Sequence, residues 1–223
     1  MREGEPFFRA EWVADNLEEI GVRLGEHVYL TVIAVVIGLA ISFTLALAIR
    51  NRPRLYGPVV GVTGTLYAIP SLAFFALLIP FTGTGLLTAE LALVSYTLLI
   101  LVRNIVEALN GVPADAVEAA AGMGFSRAQR LWRVELPLAL PVIVAGIRIA
   151  TVTTVGLVTV TALIGQGGLG YLIVNLGINR GSSPFGPTAT YTGVLLAVGL
   201  AVIADLALLA LQRALTPWSR GRA

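Results

Sequence analysis

The sequence contains no cysteine and one histidine, His27. Disulfides, thiol chemistry and iron–sulfur ligation are thereby excluded from this chain. A single imidazole leaves no material for a histidine-based metal site or a catalytic triad, so no catalytic and no metal-ligating residues are assigned. Lysine is absent too: all fifteen basic residues are arginine, which reflects composition more than mechanism. Charge itself is scarce, at 13% of residues, where a soluble domain carries about 25%. The net charge of +2 is too small to argue for a nucleic-acid partner, and the arginines sit at the ends of apolar runs instead of in one patch. No GxxxxGK[ST] phosphate loop occurs, so the chain lacks the usual means of binding and splitting ATP.

What remains is apolar. Hydrophobic residues make up 57% of the chain and mean hydropathy is +0.86. Runs of about 20 apolar residues match a hydrocarbon core of about 30 Å. The reading is an all-α integral membrane protein with about five transmembrane helices. Residues 1–27 form a polar, acidic tail in which Trp12, Leu17, Ile20 and Leu24 make an amphipathic stripe. The membrane domain covers 28–212 and a short tail covers 213–223. Spans are expected near 28–49, 59–81 (interrupted by Pro70), 86–102, 140–164 and 189–212. The first run is too long, and its flank too acidic, for a signal peptide. "LGYLIVNLGI", 169–178, is too short to cross and suits an interfacial or re-entrant position.

Arginines mark one side. The 50–58 loop holds Arg50, Arg52 and Arg54; the 103–138 insert holds Arg103, Arg127, Arg130 and Arg133; the tail holds Arg213, Arg220 and Arg222. Cationic loops stay in the cytoplasm, so the N-terminus is expected outside, the C-terminus inside and the insert cytoplasmic.

The insert is the anomaly. "DAVEAAAGMG" reads as a short helix ended by glycine, and "SRAQRLWRVEL" as a second helix capped by Ser126, with Pro137 starting a new element. A bland loop needs no such helix formers. Val117, Ala120, Ala121, Leu131 and Trp132 add more apolar surface than a solvated hairpin uses. The hairpin suits either a partner or the chain's own inner face.

Its spacing narrows the choice. Glu118-Ala119-Ala120, three residues, Gly124, nine residues, Val134, one residue, Leu136-Pro137 resembles the EAA loop of ABC-importer permeases, with Val134 where the pattern has Ile. "AIPSLAFFALLIP", "LPLALPVIVAGIR" and "ALIGQGGLG" resemble the permeases for quaternary-amine osmoprotectants: glycine betaine, choline and carnitine. The resemblance implies a coupling loop with Glu118, Ala119, Ala120, Gly124, Arg130, Trp132, Leu136 and Pro137 as its working residues. It also implies ABC ATPase subunits that hold the ATP and Mg, an extracytoplasmic solute-binding protein, a second permease chain, and residence in a prokaryotic cytoplasmic (inner) membrane. No cofactor is expected on this chain. Permeases for methionine or another small solute share the loop and are the alternative; an ATP-independent transporter or a scaffold is a further one.

Inside the spans, Arg148 and Asp205 lie at matching depths from the inner ends of their helices and are candidates for an intramembrane ion pair. Thr151, Thr154 and Thr161 share a helical face and are candidates to line a translocation pathway, with Tyr67, Ser71 and Tyr96 as weaker ones. The same threonines suit hydrogen bonds within their own helix. Glu90 is expected at the interface. "GQGGLG", 165–170, matches GxGxxG only loosely, without a preceding strand, and reads as a bend or close-packing element at an outer gate.

Overall fold

The structure, a computed structural model, describes residues 8–180 and 183–217. Every element among them is helical. A short helix α1, Ala10–Asp15, ends at Asn16, whose side-chain amide donates to the Trp12 carbonyl at 2.7 Å. Helix α2, Leu17–Asn51, then runs 35 residues without a break. The tail from Leu17 onward and the first span are therefore one rod, because no proline separates them, while Trp12 stays on α1 across the break at Asn16. At about 1.5 Å per residue the rod is about 52 Å long and overhangs a hydrocarbon core of about 30 Å. Its polar stretch is held by a ladder in which Arg23 meets Glu19 at 2.7 Å and Glu26 at 3.0 Å.

The second expected span is split. Helix α3, Tyr56–Ala68, and helix α4, Ser71–Thr82, meet at 98°. Pro70 has no N–H to continue the ladder and forces Ile69 into an extended conformation (ψ 128°). The carbonyl this frees on Ile69 accepts the Tyr96 hydroxyl. Tyr96 belongs to α5, Leu86–Asn110, the most enclosed of the long helices. α5 extends eight residues beyond the expected 102, because its apolar face continues through Ile105, Val106 and Leu109. Tyr56 at the start of α3 lines a cavity with Asn110 at the end of α5. Thr82 at the end of α4 hydrogen-bonds Thr88 at the start of α5, 2.6 Å. The bent pair thus reaches both ends of α5.

The insert holds α6, Ala114–Gly122. After its turn a single helical run, α7, spans Arg127–Ile164 over 38 residues. The sequence reading placed a new element at Pro137; the helix passes through it. The reason is local. Leu131–Glu135 is a π-helical turn, and Pro137 follows it in the first turn of the next α-helical stretch. There the missing N–H removes little of the ladder. The run ends in a tightened 3₁₀ turn, Thr159–Ile164, closed by Gly165. A short π-helical turn, Leu172–Gly177, leads to the last helix, α8, Gly186–Leu215. Leu169 and Leu172 of the 169–178 stretch are fully buried against Ile20 and Ala197, while Ile178 at its end is exposed, so protein covers the start of the stretch and not its end. Arg220 and Arg222 lie outside the described residues.

Two apolar clusters hold the bundle together. One joins Leu30, Phe75, Leu93 and Val158 near one end; the other joins Ile49, Leu101, Ile105 and Ile143 near the other. Where α2 crosses α5, a Cβ on Gly38 would sit 1.8 Å from the Thr97 hydroxyl. Small residues at such crossings let membrane helices pack by close contact, where water supplies no hydrophobic drive.

Candidate functional site

The polar insert is an elbow. α6 stops at Gly122, and two residues on Gly124 has a φ of +80°, in the left-handed region. The Gly124 N–H donates to the Ala121 carbonyl at 3.0 Å and the Phe125 N–H to the Ala120 carbonyl at 3.1 Å. This is the paired bond pattern that ends a helix at a left-handed residue, and glycine takes that conformation without a Cβ penalty. The fixed spacing from Ala120 to Gly124 therefore has a physical cause. Ser126 then restarts the chain with a reciprocal cap: its hydroxyl accepts from the Gln129 N–H at 3.3 Å and its own N–H donates to the Gln129 side chain at 2.8 Å. Ala120 is buried; Glu118 and Ala119 beside it are exposed. Trp132 stays 62% exposed while its ring leans on Phe43 of α2, centroids 6.3 Å apart. Arg130, Leu136 and Pro137 are half-buried.

A residue that sequence reasoning missed anchors this elbow. Glu135 is 3% exposed, and the Arg50 guanidinium donates to its Oε1 at 2.6 Å. The pair ties the C-terminal end of α2 to the π turn. The only signal in the sequence is a lone acid between Val134 and Leu136; its partner lies 85 residues away.

At the opposite end, the glycine-rich loop is clasped by α2. The Gly168 N–H donates to the Glu26 carboxylate at 2.9 Å, and the Leu169 N–H donates to His27 Nδ1 at 3.2 Å. His27 Nε2 lies 3.0 Å from the Val155 carbonyl. With Nδ1 accepting, Nε2 carries the proton and donates, so the buried ring is satisfied as the neutral tautomer. The loop's two inward amides are spent on Glu26 and His27.

Within the bundle, Arg148 Nε donates to Asp205 Oδ1 and Arg148 Nη2 to Asp205 Oδ2, each at 2.8 Å. This two-pronged pair joins α7 to α8. Thr151, Thr154 and Thr161 are buried, and their hydroxyls donate to carbonyls of Ile147, Ala150 and Val158 in their own helix. Tyr96 makes edge contacts with both Tyr67 and Phe74, centroids 5.8 Å apart in each pair. Ser71 is the half-buried first residue of α4. Glu90, expected at the interface, is enclosed at 9% exposure, and neither carboxylate oxygen has a hydrogen-bond partner among the described residues.

Comparison with known proteins adds four findings. The family described as binding-protein-dependent transport system inner membrane component matches residues 28–217. The chain is 34% identical to the glycine betaine/carnitine/choline transport system permease protein OpuCB of Bacillus subtilis, covering 91% of each chain. It is 37% identical to the osmoprotectant import permease protein OsmW of Salmonella typhimurium, covering 92% of this chain and 96% of that one. Among solved structures, a chain of the inward-facing MetNI methionine ABC transporter matches with a TM-score of 0.77 at 26% identity, covering 88% of this chain and 96% of that chain.

Proposed function

The chain belongs to the family of binding-protein-dependent transport system inner membrane components and is a membrane permease of an ABC importer; from that premise we propose that it imports quaternary-amine osmoprotectants. Glycine betaine, choline and carnitine are the solutes named for its relatives at 34% identity. ATP and Mg reside on separate ATPase subunits, and an extracytoplasmic binding protein delivers solute to a pair of permease chains. The N-terminus lies outside and the elbow in the cytoplasm, which fits Arg50, Arg52, Arg54, Arg127, Arg130 and Arg133 on one side.

One observation carries the mechanism: the second arm of the exposed elbow and the membrane-crossing helix are the same helix, Arg127–Ile164. Two exposed helices joined at Gly124 present Glu118, Ala119 and Trp132 to an ATPase groove. Closure of the ATPase dimer pushes on the elbow, and a continuous rod carries the push into the membrane. Arg50–Glu135 passes part of it to α2. A partner that hydrolyses ATP thereby moves a chain with no phosphate loop of its own.

Methionine is the second reading, favoured by the structural match to a methionine importer. Co-purification under mild detergent, followed by titration of the binding protein with glycine betaine, choline, carnitine and methionine, separates the two. Saturable binding of the quaternary amines is the expected outcome; binding of methionine alone selects the second reading. Recovery of neither an ATPase nor a binding protein overturns both.

A further inference from the structure

The Arg148–Asp205 pair sits on an unusual face. On a helix turning about 100° per residue, Ala145, Ile149 and Val152 lie opposite Leu136, Ile143 and Ile147. The latter three line the groove that α7 shares with α2. Ala145, Ile149 and Val152, with Thr153 and the ion pair, line an open cleft of about 470 Å³ on the other side. Nothing among the described residues closes it: the side chains of Arg148 and Asp205 remain 24% and 33% accessible. Ionised groups at this depth are too costly to leave against lipid and are found facing a bundle interior or a water-filled path.

We propose that this cleft is a transit site for a compact zwitterion bearing a carboxylate and a quaternary ammonium, docked head-to-tail on the Arg148–Asp205 pair. The proposal rests on the osmoprotectant reading above and adds where in the membrane such a solute is met. The pair uses two of the guanidinium's five N–H groups and one lone pair on each carboxylate oxygen. The remaining N–H groups take the solute's carboxylate, and the Asp205 oxygens face its cationic head. Four alternating charges result and the ion pair stays intact. A monocation finds attraction from Asp205 offset by repulsion from Arg148, so the site favours zwitterions over simple cations. Small and apolar side chains on the cleft wall suit a solute whose head is a cluster of methyl groups.

The test uses the assembled importer, with ATPase and binding protein, in proteoliposomes. Uptake of glycine betaine and of choline is measured for the wild type and for the double variant Arg148→Gln with Asp205→Asn, which keeps polar side chains between the helices. The expected result is a fall of about tenfold in the betaine-to-choline uptake ratio, the scale of one charge-assisted contact. An unchanged ratio overturns the site and leaves the osmoprotectant reading standing. Wild-type uptake of neither solute overturns that reading and the site with it. A second variant, Ala145→Phe, fills the cleft without touching either charge and is expected to slow both solutes. Uptake at the wild-type rate, or loss of the permease dimer in the purified complex, would overturn the proposal; the second result would assign this face to the neighbouring permease chain.

Discussion

Gly124 is where backbone chemistry meets the proposed coupling elbow. A Cβ at this position would meet nothing within 4 Å, so the constraint is the φ of +80° alone. A left-handed conformation costs an L-residue about 1–2 kcal/mol, and a β-branched side chain more. Gly124→Val is expected to let the chain insert and assemble while ATP hydrolysis continues without uptake. Normal ATP-driven uptake in that variant would remove the elbow from the mechanism. Gly124→Asn, which tolerates the conformation better, is expected to keep most of the activity.

Glu135 and Glu90 make an instructive pair of buried acids. Arg50→Ala strands the Glu135 carboxylate, whose side chain is 4% accessible, and is expected to cost roughly 1–3 kcal/mol, below the full value for a buried pair because Arg50 is itself 32% accessible. Thermal unfolding of the detergent-solubilised protein measures it, and Glu135→Gln on the same background should recover part of the loss. Glu90 has no hydrogen-bond partner among the described residues to strand. Glu90→Met is expected to raise the melting temperature by a few degrees, since it removes enclosed polar atoms that make no bond. A fall would show that the carboxyl gains a partner in the assembled importer.

At the scale of elements, the rigidity of α7 is the testable feature. A single alanine inserted between Glu135 and Leu136 turns the elbow by about 100° relative to the crossing segment. Uptake is expected to be lost with assembly intact. The same insertion beside Met123, in the turn, is expected to do less. Equal effects at both sites would argue against a rod.

The elements also show what a linear reading can reach. Span positions and the ends of α6 were legible, because apolar run length, the Ala–Gly spacing and the Ser126 cap are local signals. The matching depths of Arg148 and Asp205 were legible for a related reason: helical rise converts residue counts into height. Continuity was harder to read. Pro137 looks like a break until a π turn before it is known, and the polar 17–27 stretch looks separate until it is seen as the start of α2. Partners distant in sequence were out of reach: nothing near Glu135 points to Arg50, and nothing near "GQGGLG" points to Glu26 and His27.

At the scale of the whole molecule, the cysteine-free sequence permits a direct check of orientation. Single cysteines at Ala128, in the elbow, and Ser183, before α8, are expected to react with a membrane-impermeant maleimide from the cytoplasmic and outer sides of the membrane respectively. Labelling of both from one side would invalidate the proposed topology and, with it, docking of the elbow to a cytoplasmic ATPase.

The clasp between α2 and the glycine-rich loop closes a circuit. α7 leaves the elbow beside the Arg50–Glu135 pair and ends at Gly165; from there Gly168 and Leu169 bond back to Glu26 and His27 on the same α2 that carries Arg50. Two rods fastened at both ends form a parallelogram linkage: one rod cannot slide along the other without loading the fastenings. Amide exchange at Gly168 and Leu169 should therefore change between nucleotide-free and nucleotide-bound importer, although both amides lie at the far end of the rod from the elbow. Identical protection in the two states would mean that the push from the ATPase dissipates before it reaches that end.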